Sequence, residues 1–440
     1  MQISRLRWSL WREGEAVSKE TLGSVRQSAV LMNYGPGAIV DFRTANGAAV
    51  SVMAGGLEYW EDAAENRDPN ADDLKRFVDQ RLCAKLDVDH LRFPPVASSA
   101  DLSGGTASRN RSGAADEKLL QSVFLPAKRF PNWLQCTVCG TVKPSSKWGT
   151  DAGGALSPHC TACTNEERMV FVLPVRFVVA CRNGHIDEFP WAAWAHKDQK
   201  NCGNDSEFRL EVKGAGLKGM TLVCPKCNAA ASMEHIFKAG ALPDDRCAGK
   251  RPWLKDAAEE ECDQTLRVMQ RGASNLYFPL TVSALTIPPW SEKIIQLLGH
   301  FWDPIRSIED PTDRRTRISQ EWNFYHRKIK SMGQEAFFDR VESILSQDST
   351  TTDDLRWDEY RQLTSGTWGH HSNSDFVVEQ EPALHDISCI SGLYRVKALR
   401  EIRVLRGFSR IEAPPGTPPV RRQNMRLTKP RWYPAIEVRG

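Results

Sequence analysis

The chain has 440 residues, a formal net charge of +3 and 41% hydrophobic residues, which is ordinary for a globular protein and long for one core, so about two or three compact units are expected. No apolar run approaches the ~20 residues of a membrane-spanning helix, and the opening residues lack a secretory signal's apolar centre, so a cytoplasmic protein is expected. In that reducing compartment, clustered cysteines point to metal before disulfides.

The first ordered signal is residues 25–43. Gly35-Pro36-Gly37 marks a turn and Ala38 to Phe42 a strand leaving it; no Gly-Lys-Ser/Thr follows, so the glycines read as structural and not as a phosphate loop. Residues 70–86 have helical spacing at Leu74, Phe77, Val78, Leu82 and Leu86, with Asp72 and Asp73 in the first turn and Cys83 as a small core residue. Residues 97–118 are rich in Ser, Gly and Ala and read as an exposed loop.

Of the 12 cysteines, all but Cys83 and Cys389 fall between Cys136 and Cys262. Cys136-Thr-Val-Cys139 and Cys160-Thr-Ala-Cys163 are two knuckles whose spacing lets paired thiolates reach one ion, and together they fill the four tetrahedral positions of a zinc site. A third knuckle, Cys224-Pro-Lys-Cys227, groups by order with Cys247 and Cys262 as a second site. Cys181, His185, His196 and Cys202 then form a possible third; alternatively His185 caps a turn, or joins Asp187 and Glu188 in a polar cluster facing a partner. The expectation is two to three zinc ions per chain, about 2–3 by the usual four-ligand rule. Strands within residues 168–181, broken at Pro174, and a strand pair ahead of Cys224 would carry the ligands at their ends.

Residues 272–290 are strand-like up to a double proline, and residues 291–363 turn helical, with apolar groups at three- and four-residue spacing. The aromatic side chains of this insert read as core. From Leu393 to the last residue, ten arginines and two lysines face three glutamates, a local charge of +9. Leu393, Val396, Leu399, Ile402 and Leu405 make an apolar spine there, and the basic residues are either a solvated face or phosphate contacts. The nucleic-acid candidates are Arg400, Arg403, Arg406, Arg410, Arg421, Arg422, Arg426, Lys429 and Arg431.

The expected fold is therefore α+β and multidomain, with zinc-ribbon-like β units and a helical insert. By sequence character the divisions are 1–130, 131–270, 271–290, 291–365 and 366–440. No nucleotide-binding, nucleophile-elbow or zinc-protease motif occurs, and four-ligand zinc sites are closed, so a non-catalytic binding protein is expected. Two other readings stay open: a zinc-dependent hydrolase or nuclease using His185, Asp187, Glu188 and His196, and a pure protein–protein scaffold.

Several stretches taken together, RQSAVLMNYGPGAIVDF, VVACRNGHIDEFPWAAWAH, QRGASNLYFPLTVSALTIP, LREIRVLRGFSRI and WYPAIEVRG, resemble the DrmB family of DISARM anti-phage defence subunits. The resemblance runs from about Val25 to Gly440. It implies a non-catalytic partner of a helicase subunit, DrmA, with the pair binding DNA of single-stranded character. Members of that family usually run on past the WYPAIEVRG position into a further C-terminal domain, which this chain is expected to lack.

Overall fold

The computed structural model describes residues 5–10, 21–44, 46–60, 76–94, 124–151, 154–198, 202–288, 291, 294, 298, 302–328, 332–347, 354–364, 376–381, 393–413, 425–426, 428 and 431–439. The chain forms two compact units, one of residues 1–67, 95–280 and 406–429, the other of residues 68–94, 281–405 and 430–440. Compactness thus cuts across divisions drawn by sequence character. The architecture is α+β with several sheets.

The first unit holds a five-stranded sheet in the order Thr21–Arg26, Arg5–Leu10, Phe124–Arg129, Ala49–Ala54, Ile39–Arg43. The strand after the Gly-Pro-Gly turn is Ile39–Arg43, as expected. Gly37 sits at φ 85°, and a Cβ there would lie 2.6 Å from the Phe408 ring. That glycine is required by conformation and by close packing. Besides a two-stranded ribbon of Gly149–Asp151 and Gly154–His159, the cysteine-rich part builds two further sheets. One runs Leu173–Pro174, Trp133–Gln135, Thr141–Pro144, Phe208–Val212, Met220–Val223, Ala230–Ser232. The other runs Ile186–Glu188, Phe177–Ala180, Arg267–Gln270. Phe177, Val179, Phe189, Trp191, Trp194, Phe208 and Leu222 are buried together between them. Phe208 and Leu210 are buried and Arg209 between them is exposed, which is the pattern of a strand with one face on a core.

The second unit's sheet has the order Phe278–Leu285, Tyr394–Ser409, Trp432–Arg439, His90–Arg92, Arg76–Phe77, with Phe376–Gln380 also paired to Tyr394–Ser409. Val396, Leu399, Ile402 and Leu405 of the expected apolar spine fall on one 16-residue strand with Leu393 just before it, but only Ile402 and Leu405 are buried, and Leu393 and Val396 are exposed. The helix read over residues 70–86 is shorter than its pattern. Asp79 accepts from Leu82 N at 3.0 Å and caps a helix of only Gln80–Leu86, while Arg76–Phe77 pairs with Leu91 and Arg92 as strand. A strong N-cap inside the periodic run sets the boundary that periodicity alone blurs. Leu74, Asp72, Asp73 and the 97–118 loop lie outside the described residues. Cys83 is buried on this helix.

In the helical insert, Trp302–Arg306, Pro311–Gln320, Trp322–Lys328 and Gln334–Gln347 enclose a core of Leu298, Trp302, Ile318, Tyr325, Phe337 and Val341. The final helix, Leu355–Thr364, departs from the expectation that insert aromatics are core: Trp357 and Tyr360 are 51% and 56% exposed. The apolar groups this helix buries are Leu355 and, partly, Leu363, so its aromatic pair falls on the opposite face. Among the described residues, no helix is long and apolar enough to cross a membrane.

Candidate metal centres

Among the described residues, three groups of four side chains have their ligand atoms within 4.8 Å of one another: Cys136, Cys139, Cys160, Cys163; Cys181, His185, Cys247, Cys262; and His196, Cys202, Cys224, Cys227. All twelve are residues the sequence singled out.

The first group is the expected pair of knuckles. Cys136 follows the strand Trp133–Gln135, and Gly140 closes the turn at φ 73° by donating its N–H to Cys136 O at 3.0 Å. A Cβ on Gly140 would fall 2.5 Å from Leu210 O. Val138 N–H points at Cys136 Sγ at 3.4 Å, and Cys139 and Cys160 sulfurs are 3.9 Å apart. Leu134, Trp148, Val170 and Val172 bury the group. Burial, with Cys139 and Cys160 beside it, pushes the Cys163 thiol up to about 12. Four sulfurs this close cannot all ionise by themselves, and a cation removes the conflict.

In the second group the turn Cys181-Arg-Asn-Gly-His185 closes with Gly184 N–H on Cys181 O and Cys181 N–H on His185 O, both at 3.1 Å. His185 Nδ1 lies 3.3 Å from Cys181 Sγ and 3.4 Å from Cys247 Sγ. Its other nitrogen, Nε2, lies 2.5 Å from Glu260 Oε1, and Arg251 Nη1 holds the second Glu260 oxygen at 3.1 Å. This is the carboxylate–histidine arrangement that fixes the tautomer, with Nδ1 as ligand and Nε2 as donor. Burial would lower the His185 pKa, but the Cys247 sulfur and the Glu260 carboxylate raise it to about 9, so a metal at Nδ1 displaces a proton. Asn183 Nδ2 donates to Cys262 Sγ at 3.3 Å and Gly249 N–H to Cys247 Sγ at 3.4 Å.

Glu260 is the functional residue that sequence reasoning missed. It stands among Glu259, Glu261 and Asp263, where nothing marks one acid over another. The signal sits in Gly249, whose left-handed backbone (φ 68°) leaves room for Glu260, a Cβ there lying 1.8 Å from Glu260 O. Glu260→Gln should weaken metal retention at this group about tenfold or more, measured by competition with a chelator, while the first group is unchanged.

The third group begins at His196, which caps the helix Trp191–Ala195 and donates Nδ1–H to Ala192 O at 2.9 Å. Its Nε2 is buried and has no hydrogen-bond partner among the described residues. A buried imidazole nitrogen beside three sulfurs, its lone pair unclaimed, is what a metal ligand looks like before the ion is drawn in. Cys202 and Cys224 sulfurs are 3.6 Å apart, and Asn204 Nδ2 donates to Cys224 Sγ at 3.2 Å. Burial raises the Cys224 thiol, but the Asn204 amide and the Cys227 and Lys226 backbone N–H groups bring it down to about 6. Each donor set therefore fits a tetrahedral metal ion.

The grouping drawn from sequence order is corrected. Cys224 and Cys227 close with His196 and Cys202, and Cys247 and Cys262 close with Cys181 and His185. Strand register decides this. Phe177–Ala180 pairs antiparallel with Arg267–Gln270, Ala180 opposite Arg267, which returns Cys262 to Cys181. The Arg246–Thr265 bridge sets Cys247 beside them. In the neighbouring sheet Arg209 faces Val223, which puts Cys224 at the Phe208 end, against which His196 packs edge-on at 6.0 Å. The hydrolase constellation is separated too. His185 and His196 belong to different groups, Asp187 pairs with Lys250 at 2.8 Å, and Glu188 Oε1 accepts from Asn132 N at 2.5 Å.

The nucleic-acid candidates fare unevenly. Arg410 is 1% exposed and Arg400 is buried against Glu437 at 2.6 Å, so neither offers a solvent-facing cation. Arg403 pairs with Glu401 and Arg431 with Asp89, each at 2.8 Å; Arg406 and Arg426 are half-buried. Arg421, Arg422 and Lys429 lie outside the described residues. Beyond these, Arg395 and Lys397 meet Glu381 and Glu379, both at 2.5 Å. Acids distant in sequence thus offset much of the local positive charge.

These observations define an α+β protein whose cysteine-rich part is organised round three closed, four-ligand metal-type centres. A family model described as Domain of unknown function (DUF8724) matches residues 26–278, and the chain belongs to that family. The matched stretch contains all twelve ligand residues. The chain is also 27% identical over 336 residues to the DISARM protein DrmB of Bacillus paralicheniformis, covering 72% of this chain and 58% of that protein. The DrmB resemblance read from the sequence is supported by this match, and the chain spans under two thirds of that relative's length.

Proposed function

We propose that this chain is a zinc-stapled, non-catalytic subunit of a DISARM-type defence complex, acting in the cytoplasm by docking on a DrmA-like helicase and helping it hold DNA. The observation that carries this reading is the saturation of all three centres: four protein ligands each leave no position for a substrate or an activated water. Thiolate and imidazole donors in fours favour zinc over harder cations. Similarity to DrmB supports the defence context. For DNA, Arg403, Arg406, Arg426 and Arg431 remain as candidate contacts, together with Arg421, Arg422 and Lys429 from the sequence, whereas Arg400 and Arg410 serve the fold.

The test is co-purification with a DrmA-like helicase-type ATPase, followed by DNA-stimulated ATP hydrolysis. A stable complex with altered ATPase activity is expected. A chain that stays apart from that enzyme and leaves its turnover unaltered would sink the reading. Elemental analysis of the same sample should return three zinc ions per chain, one for each group of four ligands.

A further inference from the structure

Trp357 and Tyr360 are 51% and 56% exposed on the helix Leu355–Thr364, and their rings stack on each other with centroids 5.7 Å apart and 24° between planes. Single exposed apolar residues are commonplace. Two large rings stacked one turn apart on a fixed helix are a different object. The helix is held from several directions. Asp354 Oδ1 accepts from Arg356 N and Trp357 N at 3.0 and 3.3 Å, closing the first turn under Trp357. Glu359, buried, accepts from Leu285 N at 2.8 Å and from Arg356 Nη1 at 2.7 Å, and Arg356 Nη2 reaches Ser283 Oγ at 3.1 Å. Leu363 packs on Ile287, Phe376 and Val378. The backbone beneath the rings is therefore set before any ligand arrives.

Charge falls unevenly about this helix. Its acids Asp358 and Glu359 are buried on the inner side, while Arg361, four residues after Trp357, is exposed and makes no ion pair among the described residues. At that spacing the cation shares the aromatic face. No other large apolar side chain of the helix is exposed among the described residues. A protein partner of ordinary interface size needs a broad apolar centre, which two rings do not supply. A nucleobase needs one ring face and a nearby cation for its phosphate, and both are present.

We propose that Trp357 and Tyr360 form a stacking platform for bases of single-stranded nucleic acid, with Arg361 meeting the adjoining phosphate. This rests on the DNA-holding reading above and gives it a place on the chain. In the full-length protein, anisotropy of a labelled oligothymidylate should show the Trp357→Ala/Tyr360→Ala variant binding at least about tenfold more weakly. Trp357→Phe should keep most of the affinity, because it keeps a ring to stack on. Arg361→Gln should lower the slope of log affinity against log salt by about one. Unchanged thermal stability and metal content establish that the fold survives these surface changes. If the wild-type chain binds the oligonucleotide and the double variant binds equally well, the platform is wrong and the DNA reading stands. If the wild-type chain binds no single strand, both fall. Loss of helicase association with oligonucleotide binding intact would make the pair a protein contact and overturn the proposal.

Discussion

Replacing Cys224 and Cys247 together by serine should remove two metal ions from the chain, whereas replacing Cys247 and Cys262 together should remove one. The first pair straddles two groups and the second shares one. By order along the sequence, both pairs would belong to a single site and each would lose a single ion, so the comparison separates the two arrangements. Elemental analysis of the purified variants reads the difference directly, as three ions falling to one or to two. The structural consequence should be large, because at a closed centre apparent binding energies on the order of 10–16 kcal/mol are folding energy. The variant straddling two groups loses what ties Arg267–Gln270 to Phe177–Ala180 and what ties the strand pair before Cys224 to the helix Trp191–Ala195. It should be degraded by protease across the cysteine-rich part, while the variant confined to one group keeps the third centre and part of that protection. Equal ion loss in the two variants would refute the register-based grouping.

Local chemistry was legible in the sequence and long-range register was not. A Cys-x-x-Cys knuckle is a single turn, so its ligands announce themselves within four residues, and the Cys136 to Cys163 centre follows from two of them. Of the remaining ligands only Cys224 and Cys227 share a knuckle, and which of the others meet them or one another depends on antiparallel pairing across gaps such as Ala180 to Arg267. Nothing in the spacing of Cys247 and Cys262 encodes that pairing. Charge behaved alike. Arginines late in the chain are easily counted, but the acids that answer them, Glu379, Glu381 and Asp89, lie elsewhere and arrive through the sheet. Helical periodicity placed the element Leu355–Thr364, yet could not say that its inner face would be closed by buried Glu359 on a strand, leaving Trp357 and Tyr360 outside. Polar burial of that kind runs against the usual inside-apolar pattern on which sequence reading relies.

Arg410→Met should destabilise the first unit by about 3–5 kcal/mol, read as a shift of denaturant midpoint at unchanged slope. The guanidinium is 1% exposed and serves three backbone carbonyls: Nε donates to Gly184 O at 2.9 Å, Nη2 to Gly37 O at 2.8 Å, and Nη1 to Leu276 O. Trp253 and Phe408 rings flank it, 5.1 and 4.8 Å from the guanidinium carbon. Two effects compete. Burial penalises the charge and pulls its pKa down to about 9, still above neutral pH, so removing the cation relieves a desolvation cost. Against this, methionine leaves three buried carbonyls without their donor, at about 1–3 kcal/mol each, and forfeits two ring contacts. Three orphaned acceptors outweigh one relieved charge, so the net effect is loss. Arg410→Lys should recover little, because an ammonium cannot reproduce a planar fork reaching three separate carbonyls. One of those carbonyls belongs to Gly184, in the turn that presents Cys181 and His185. The second centre should therefore release its metal to a chelator before the other two in this variant, because Arg410 holds both the Gly-Pro-Gly turn and the turn that presents that centre's ligands. A midpoint within about 0.5 kcal/mol of wild type, with all three ions retained alike, would show that Arg410 carries no such linkage.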